Sequence, residues 1–409
     1  MNDVASIKQG WLETLQTDVR GGYRQNHANL MTALRNTPQW RGVITYDEFS
    51  QVVWLNKPVP RHDGKVLNDW RPRYWSDADL GEAVEWFQLD IFPTVNPEKV
   101  QMAIRQFANQ NGTFHPVRDY LNGLHWDRCK RLDQWLVKYL GAVPYTNDQL
   151  GYLSEVGSKW MISAVARIYE PGCQADHVLV PEGPQGIGKS TAFKILGGDS
   201  FSDGLPSNVH TKDARDHVRG KWIIEFPELS QMNKTEVEAI KAFITRREER
   251  FRPAYGRNEV IYPRQCVFCG TTNKEEYLRD ETGNRRFWPV TVTNILIGSL
   301  VADRDQLWAE AVARYQKGEA WHLTDQSVID IASAEQSARY LSDAWEEPVT
   351  KYLNGKDKVT ISEILKNAIF LDISKQSRAD QNRVMPILAD NGFKRGKRTG
   401  RGRWWERNP

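Results

Sequence analysis

Residues 177–196 read HVLVPEGPQGIGKSTAFKIL, a short apolar strand that runs into glycines and out into a helix. Within it, residues 183–190 (GPQGIGKS) complete the pattern G-x-x-x-x-G-K-[ST]. Each part has a physical task. Glycines let backbone N–H groups turn inward around phosphates with no side chain in the way. Lys189 brings a positive charge to the β- and γ-phosphates, and the Ser190 hydroxyl is a magnesium ligand. The following helix adds its positive end. The expected nucleotide-holding set is therefore Gly183, Pro184, Gln185, Gly186, Ile187, Gly188, Lys189, Ser190 and Thr191, with ATP and Mg²⁺ as cofactors.

A loop of this kind needs an acid at the end of a neighbouring strand to steady the metal's water shell. The segment KWIIEFPEL supplies two: Glu225 ends the strand and Glu228 follows Pro227. Glu225 is expected to serve the metal and Glu228 the attacking water, with the reverse assignment open. Next, RQCVFCGTTN is an apolar strand with a polar end, where Asn273 is placed to sense the γ-phosphate. Cys266 and Cys269 form a C-x-x-C without a second pair, so they read as core rather than as a zinc site. Arg285 and Arg286 in DETGNRRFWPV are candidates for an arginine finger, with Arg286 preferred; an ion pair with Asp280 or Glu281 is the competing role.

Outward from this centre, the hundred residues after Asp176 alternate strand and helix signals, which predicts an α/β domain with a largely parallel sheet. Residues 1–170 read as a mainly helical N-terminal domain. It opens with a helical stretch from Ile7 to Thr37, continues through strand-like pieces at Gly42–Tyr46 and Gln51–Leu55, and includes a helix capped by Asp77 or Asp79. Residues 171–330 form the phosphate-loop domain, and a linker near 325–347 leads to a C-terminal unit over 345–409. That unit has two helical patterns followed by KRGKRTGRGRWWER, the order of a winged helix with a basic β-wing.

Composition bounds the rest. A chain of 409 residues with 40% hydrophobic and 26% charged content is ordinary for a soluble globular protein. No apolar run is long enough to span a membrane, and four cysteines are too few for a disulfide framework, so a bacterial host cytoplasm is expected. Sixteen tryptophans are unusual, and most are expected in the core.

With these pieces in order, the chain resembles the virulence-associated protein E family of phages and mobile genetic islands. The resemblance rests on PGCQADHVLVPEGPQGIGKST, KWIIEFPEL, KAFITRREERFRPAYGR, CVFCGTTN and DETGNRRFWPV. That family looks like the ATPase part of superfamily III helicases and phage primase-helicases, relatives of the AAA+ ATPases. It implies a ring, usually a hexamer, moving on single-stranded DNA during replication of a mobile element. One departure is Phe226, which follows the strand acid where a second acid is usual.

In the superfamily III pattern a hairpin between the strand acid and the sensor strand points into the ring pore. Here that interval holds RREERFRPAYGRNEVIYPR, where Arg252, Tyr255 and Arg257, with Arg250 and Arg264 alongside, suit a strand of phosphates and bases. Lys394, Arg395, Lys397, Arg398, Arg401 and Arg403 of the wing suit phosphate contact, including duplex DNA. The leading expectation is an ATP-driven DNA translocase or helicase. The alternatives are an ATP-switched initiator on origin DNA and a DNA-sensing ATPase. No paired-carboxylate primase site is visible in residues 1–110.

Overall fold

A computed structural model describes residues 10–63, 69–252, 259–274, 276–278, 284–340, 343–399 and 402–407, without the side chains of 234, 284, 397–399 and 402–403. The chain divides into two compact units, residues 1–275 with 280–338, and residues 276–279 with 339–409.

The first unit begins differently from the expected long helix. Gly21, with φ +81°, and the Asp18 carboxylate, which accepts from the Arg20 and Gly22 amides, fold residues 17–23 into a turn. A helix follows only at His27–Asn36, capped by Asn26. Four strands, β1 (Ile44–Asp47), β2 (Val52–Leu55), β3 (Arg73–Tyr74) and β4 (Thr113–Phe114), make a sheet in the order β3-β2-β1-β4. The helix Asp77–Asp90 is capped by Ser76, with Asp79 closing the capping box rather than serving as the cap. Together with the helix Pro97–Asn111, these elements bury a core that includes Leu30, Trp40, Phe87 and Ile104. Residues up to 111 are thus mixed α and β.

A boundary near 170 is not where packing changes. The helices Pro116–Asn122, Trp135–Leu140 and Asn147–Tyr169 share one core with the phosphate-loop sheet. Indole N–H groups fasten the long helix to that sheet: Trp160 Nε1 donates to Phe268 O at 2.8 Å, and Trp222 Nε1 to Ala164 O at 2.9 Å. Of the sixteen tryptophans, eight are buried and eight partly covered, so their main role is packing.

The expected alternation after Asp176 yields a parallel sheet. Strands β5 (Val178–Glu182), β6 (Phe201–Ser202), β7 (Ile223–Phe226), β10 (Val267–Gly270) and β11 (Phe287–Thr291) lie in the order β11-β5-β10-β7-β6, every pair parallel. Between β7 and β10 the chain forms the helix Lys234–Ile244 and an antiparallel hairpin, β8 (Glu248–Phe251) with β9 (Val260–Pro263). The fold class is therefore mixed α/β with a parallel sheet.

The expected linker is partly a helix. Residues Gln326–Ala338 coil and pack on the sheet, with Ala332 buried and Gln336 Nε2 donating to Phe287 O at 2.8 Å. Val328, Ile331, Ala332 and Glu335 recur at helical spacing, a period that the polar residues between them disguise.

In the second unit, the helices Glu346–Leu353, Ile361–Asn367 and Arg378–Asp390 pack on a three-stranded antiparallel sheet. Its strands β12 (Lys358–Thr360), β13 (Phe393–Thr399) and β14 (Gly402–Arg407) lie in the order β12-β14-β13. Thr360 with Glu363, and Ser377 with Asp380, form capping boxes. Trp405 points into this core while Trp404 sits partly covered on the other side of the strand. No helix among the described residues is long and apolar enough to cross a membrane.

Candidate functional site

The glycine loop leaves the carboxyl end of β5, where β11 lies on one side and β10 on the other. In open α/β sheets, ligands gather at such carboxyl ends. A Cβ at Gly183 would run into the Val292 carbonyl, so only glycine lets the loop leave the strand here. Gly186 and Gly188 have φ of +83° and +96°, conformations that glycine adopts without strain. The helix Lys189–Gly197 then starts directly from the loop, aiming its free amides back at it.

Lys189 Nζ donates to Gly183 O at 2.6 Å and Pro184 O at 2.8 Å, so the ammonium is held over the loop's mouth. Burial pulls the Lys189 pKa below its usual value, with the Glu225 charge opposing. Ser190 Oγ donates to Glu225 Oε1 at 2.7 Å, and Thr271 Oγ1 donates to the same oxygen at 2.6 Å. Glu225 is fully buried, and its Oε2 has no hydrogen-bond partner among the described residues. Burial raises the Glu225 pKa above the usual carboxylate value, against the pull of the Thr271 and Ser190 hydroxyls.

That unpartnered buried oxygen, next to a hydroxyl and facing a phosphate loop, fits a divalent cation with a preference for oxygen ligands. Glu228 is exposed, follows Pro227 and has φ +50°, a left-handed conformation uncommon for glutamate. Gln231 Nε2 donates to its carboxylate. Lys189, Ser190, Glu228, Thr271 and Asn273 share a cavity of about 350 Å³. The structure thus brings together the loop, both acids and the polar strand end that the sequence singled out. Thr271 was missed; its signal was a hydroxyl closing an apolar strand, and its role depends on β10 lying beside β7.

The arginine pair lies elsewhere. The β11–β5 register sets Phe287 against Val178 and Thr291 against Glu182. Arg286 is thus level with His177, about 20 Å along the strands from Gly183. Arg285 is exposed and Arg286 half-buried. Asp280 and Glu281, the competing ion-pair partners, lie outside the described residues. A larger cavity of about 760 Å³ opens beside Arg285 and His177, far from the phosphate loop. Burial pushes the His177 pKa down to about 4. Size alone would favour this cavity, but the glycine loop and the Ser190–Glu225–Thr271 cluster are at the other end of the sheet.

Cys266 and Cys269 are buried in the sheet as core residues. Arg264 departs from the expected surface role: it is buried, paired with Glu249, and its guanidinium lies 4.2 Å from the Phe243 ring centroid. Strand parity explains this, since Glu249 and Phe251 of β8 face inward while Glu248 and Arg250 face out. Arg252 is exposed, whereas Tyr255 and Arg257 lie outside the described residues. In the wing, Lys394 and Arg395 are exposed. Arg401 and the side chains of Lys397, Arg398 and Arg403 lie outside the description. Lys394 sits opposite Glu406, an acid that Lys358 already pairs at 2.7 Å.

The profile of the virulence-associated protein E-like domain matches residues 121–340, more than half of the 409-residue chain. The chain belongs to that family. No curated protein matches it. Among solved structures, an A-form apo structure of the C-terminal region of NrS-1 is 12% identical with a TM-score of 0.47, covering 94% of this chain and 100% of that one. A proline-to-glycine mutant of Thermotoga maritima RuvB is 16% identical with a TM-score of 0.24, covering 61% of this chain and 90% of that one. Both likenesses are remote.

Proposed function

We propose that this chain is an ATP-hydrolysing DNA translocase or helicase of the superfamily III type, working as a ring, six-membered by family resemblance, in replication of a phage or mobile element. The observation that carries the ATPase reading is the Ser190–Glu225–Thr271 cluster at the foot of the glycine loop. The loop amides and the start of helix Lys189–Gly197 cradle the phosphates, and Lys189 leaves its two carbonyls to meet them. Ser190 and Glu225 would hold magnesium, which would supply positive charge against the β- and γ-phosphates. Glu228, outside the strand and in the same cavity, accepts a hydrogen bond from the attacking water and aligns it. Asn273 contacts the γ-phosphate from the end of β10.

DNA is assigned to two places. The β8–β9 hairpin, rising between the acid strand and the sensor strand, meets a single strand. The second unit reads as a winged helix, in which Arg378–Asp390 and the β13–β14 wing meet duplex DNA. The deciding experiment measures ATP turnover with and without single-stranded DNA, then strand separation. Turnover stimulated by DNA and followed by unwinding is expected. Turnover without unwinding would favour the initiator or sensor instead.

Glu225→Gln tests the metal seat. The raised pKa means that the folded state penalises the charged carboxylate, so this group's contribution to stability is full at acid pH and declines as pH rises through the folded pKa. Glu225→Gln is therefore expected to raise the melting temperature of nucleotide-free protein at pH 7, with the gain vanishing near pH 4. Mg²⁺-dependent turnover is expected to disappear. Thermal scans across pH, with ATPase assays in parallel, check both.

The wing requires a subtler test than deletion, because removing residues from 394 would also remove Trp405 and the central strand β14. Neutralising Lys394, Arg395, Lys397 and Arg398 to Gln is expected to weaken duplex binding and flatten its log–log salt dependence by up to about 3.6, at ~0.9 per phosphate contact. Basal ATPase is expected to survive. An unchanged slope in anisotropy titrations would remove the wing from the DNA interface.

A further inference from the structure

The hairpin strand β9 meets the first sheet of the same unit at a cleft of about 190 Å³. Gln51, Trp75, Gln101, Arg105, Arg219 and Tyr262 line it, and among the described residues no Asp or Glu does. Two cationic side chains, an aromatic wall and two amides in one concavity form a mixed set. The cations suit a phosphodiester, the indole suits a base face, and the amides suit base edges of any sequence. An apolar peptide would bring no anion to either guanidinium.

Arg219 is held ready rather than locked. Its Nη2 lies 3.1 Å from Asp216 Oδ1, whose side chain is 47% exposed, and its guanidinium is 5.6 Å from the Tyr262 ring centroid. A solvent-screened pair of this kind exchanges its carboxylate for a phosphate at little cost. Arg105 is exposed beside the buried Tyr46 hydroxyl. Trp75 Nε1 donates to Gln101 Oε1 at 3.2 Å, which orients the indole and leaves the Gln101 amide as a donor. Gln51 is kept at φ +55° at the tight connection between β1 and β2, facing this cleft. The volume, about six water molecules, is the scale of one base rather than of a whole nucleotide.

Position along the chain supports a strand as the occupant. Tyr262 lies on β9, five residues after Arg257 in the sequence, on the same hairpin as the proposed DNA-contacting residues. We infer that this cleft is a further contact for single-stranded nucleic acid, seating one base while Arg105 and Arg219 hold the two phosphates that flank it, as the strand passes from the hairpin to the N-terminal sheet. The inference rests on the DNA reading above and assigns residues 45–105 a part in it.

The test uses the full chain and fluorescent oligo(dT), titrated by anisotropy over a range of salt. The double change Arg105→Ala with Arg219→Ala is expected to weaken binding about tenfold at 0.1 M salt. It should also flatten the salt slope by about 1.4, at ~0.7 per phosphate on a single strand. DNA-free ATPase is expected to be unchanged, and the paired Lys replacements are expected to restore the slope. On wild-type protein, oligo(dT) carrying 5-iododeoxyuridine is expected to crosslink to Trp75 or Tyr262, with free dTMP unable to compete at equal concentration. Affinity and slope within twofold of wild type, or crosslinks confined to the hairpin tip and wing, overturn the cleft alone. Equal competition by dTMP overturns the strand as occupant. Failure of the wild type to bind oligo(dT) at any salt overturns the DNA reading itself, and the cleft with it.

Discussion

Lys189→Ala is expected to abolish ATP turnover while leaving the fold in place. The ammonium lies over the loop, bonded to the Gly183 and Pro184 carbonyls, and it is the loop's one side-chain cation lining the cavity. Among the described residues lining the cavity no other cation stands in for it: the remaining polar members are Glu228, hydroxyls and amides. The fold does not depend on it: the helix that begins at Lys189 is anchored by Ala192, Phe193 and Leu196, all buried. The melting temperature should therefore stay within about 3 °C of wild type. Turnover should fall at least about 10³-fold, as expected where charge stabilisation is the main catalytic device. Near-normal turnover in a coupled assay would remove the phosphate loop from the mechanism, and with it the ATPase reading.

The second large effect belongs to the arginine pair. A finger stabilises transition-state charge and contributes about 10³-fold or more. The parallel register of β11 on β5 keeps both arginines about 20 Å from their own phosphate loop, beyond the reach of an arginine side chain. Catalysis by either must therefore run in trans. Exposure shifts the preference from Arg286 to Arg285, which is the more open of the two. Alanine at Arg285 is expected to cut turnover about 10³-fold and to spare nucleotide binding. Activity per subunit should rise with protein concentration. Mixing Arg285→Ala with Lys189→Ala should restore part of the activity, since a mixed ring contains interfaces with an intact loop facing an intact arginine. No recovery despite demonstrated co-assembly would make the arginine structural.

Legibility followed range. The glycine loop could be read because its whole task lies within eight consecutive residues, and Glu225 could be found because an acid closing a buried strand is a local signal. Thr271 could not be found in this way: it meets Glu225 only because β10 inserts between β5 and β7, an order that no local pattern encodes. Arg264 was misread for a related reason. In a hairpin of alternating charges, which arginine faces in depends on a register of one residue. The helix Gln326–Ala338 hid because its buried stripe is narrow, and the helix His27–Asn36 proved shorter than its pattern because the Asp18 turn interrupts the chain. The N-terminal cleft was invisible, since Arg105 and Arg219 stand more than a hundred residues apart.

The buried Arg264–Glu249 pair has a consequence for how this protein can evolve. Losing Glu249 leaves the buried Arg264 guanidinium without its carboxylate, and losing Arg264 leaves Glu249 with only Arg246, at 3.5 Å, among the described residues, at a cost of about 3–5 kcal/mol, a large share of a typical domain's stability. Arg264 also donates to the Phe243 carbonyl at the end of helix Lys234–Ile244, so the hairpin base and that helix share one fastening. Single substitutions at either position are thus costly, while a paired exchange for apolar residues of like volume would keep the packing but give up the bond to the Phe243 carbonyl. Natural variation at 249 and 264 is constrained to move in step, and the hairpin above them is free to diversify without disturbing its mount.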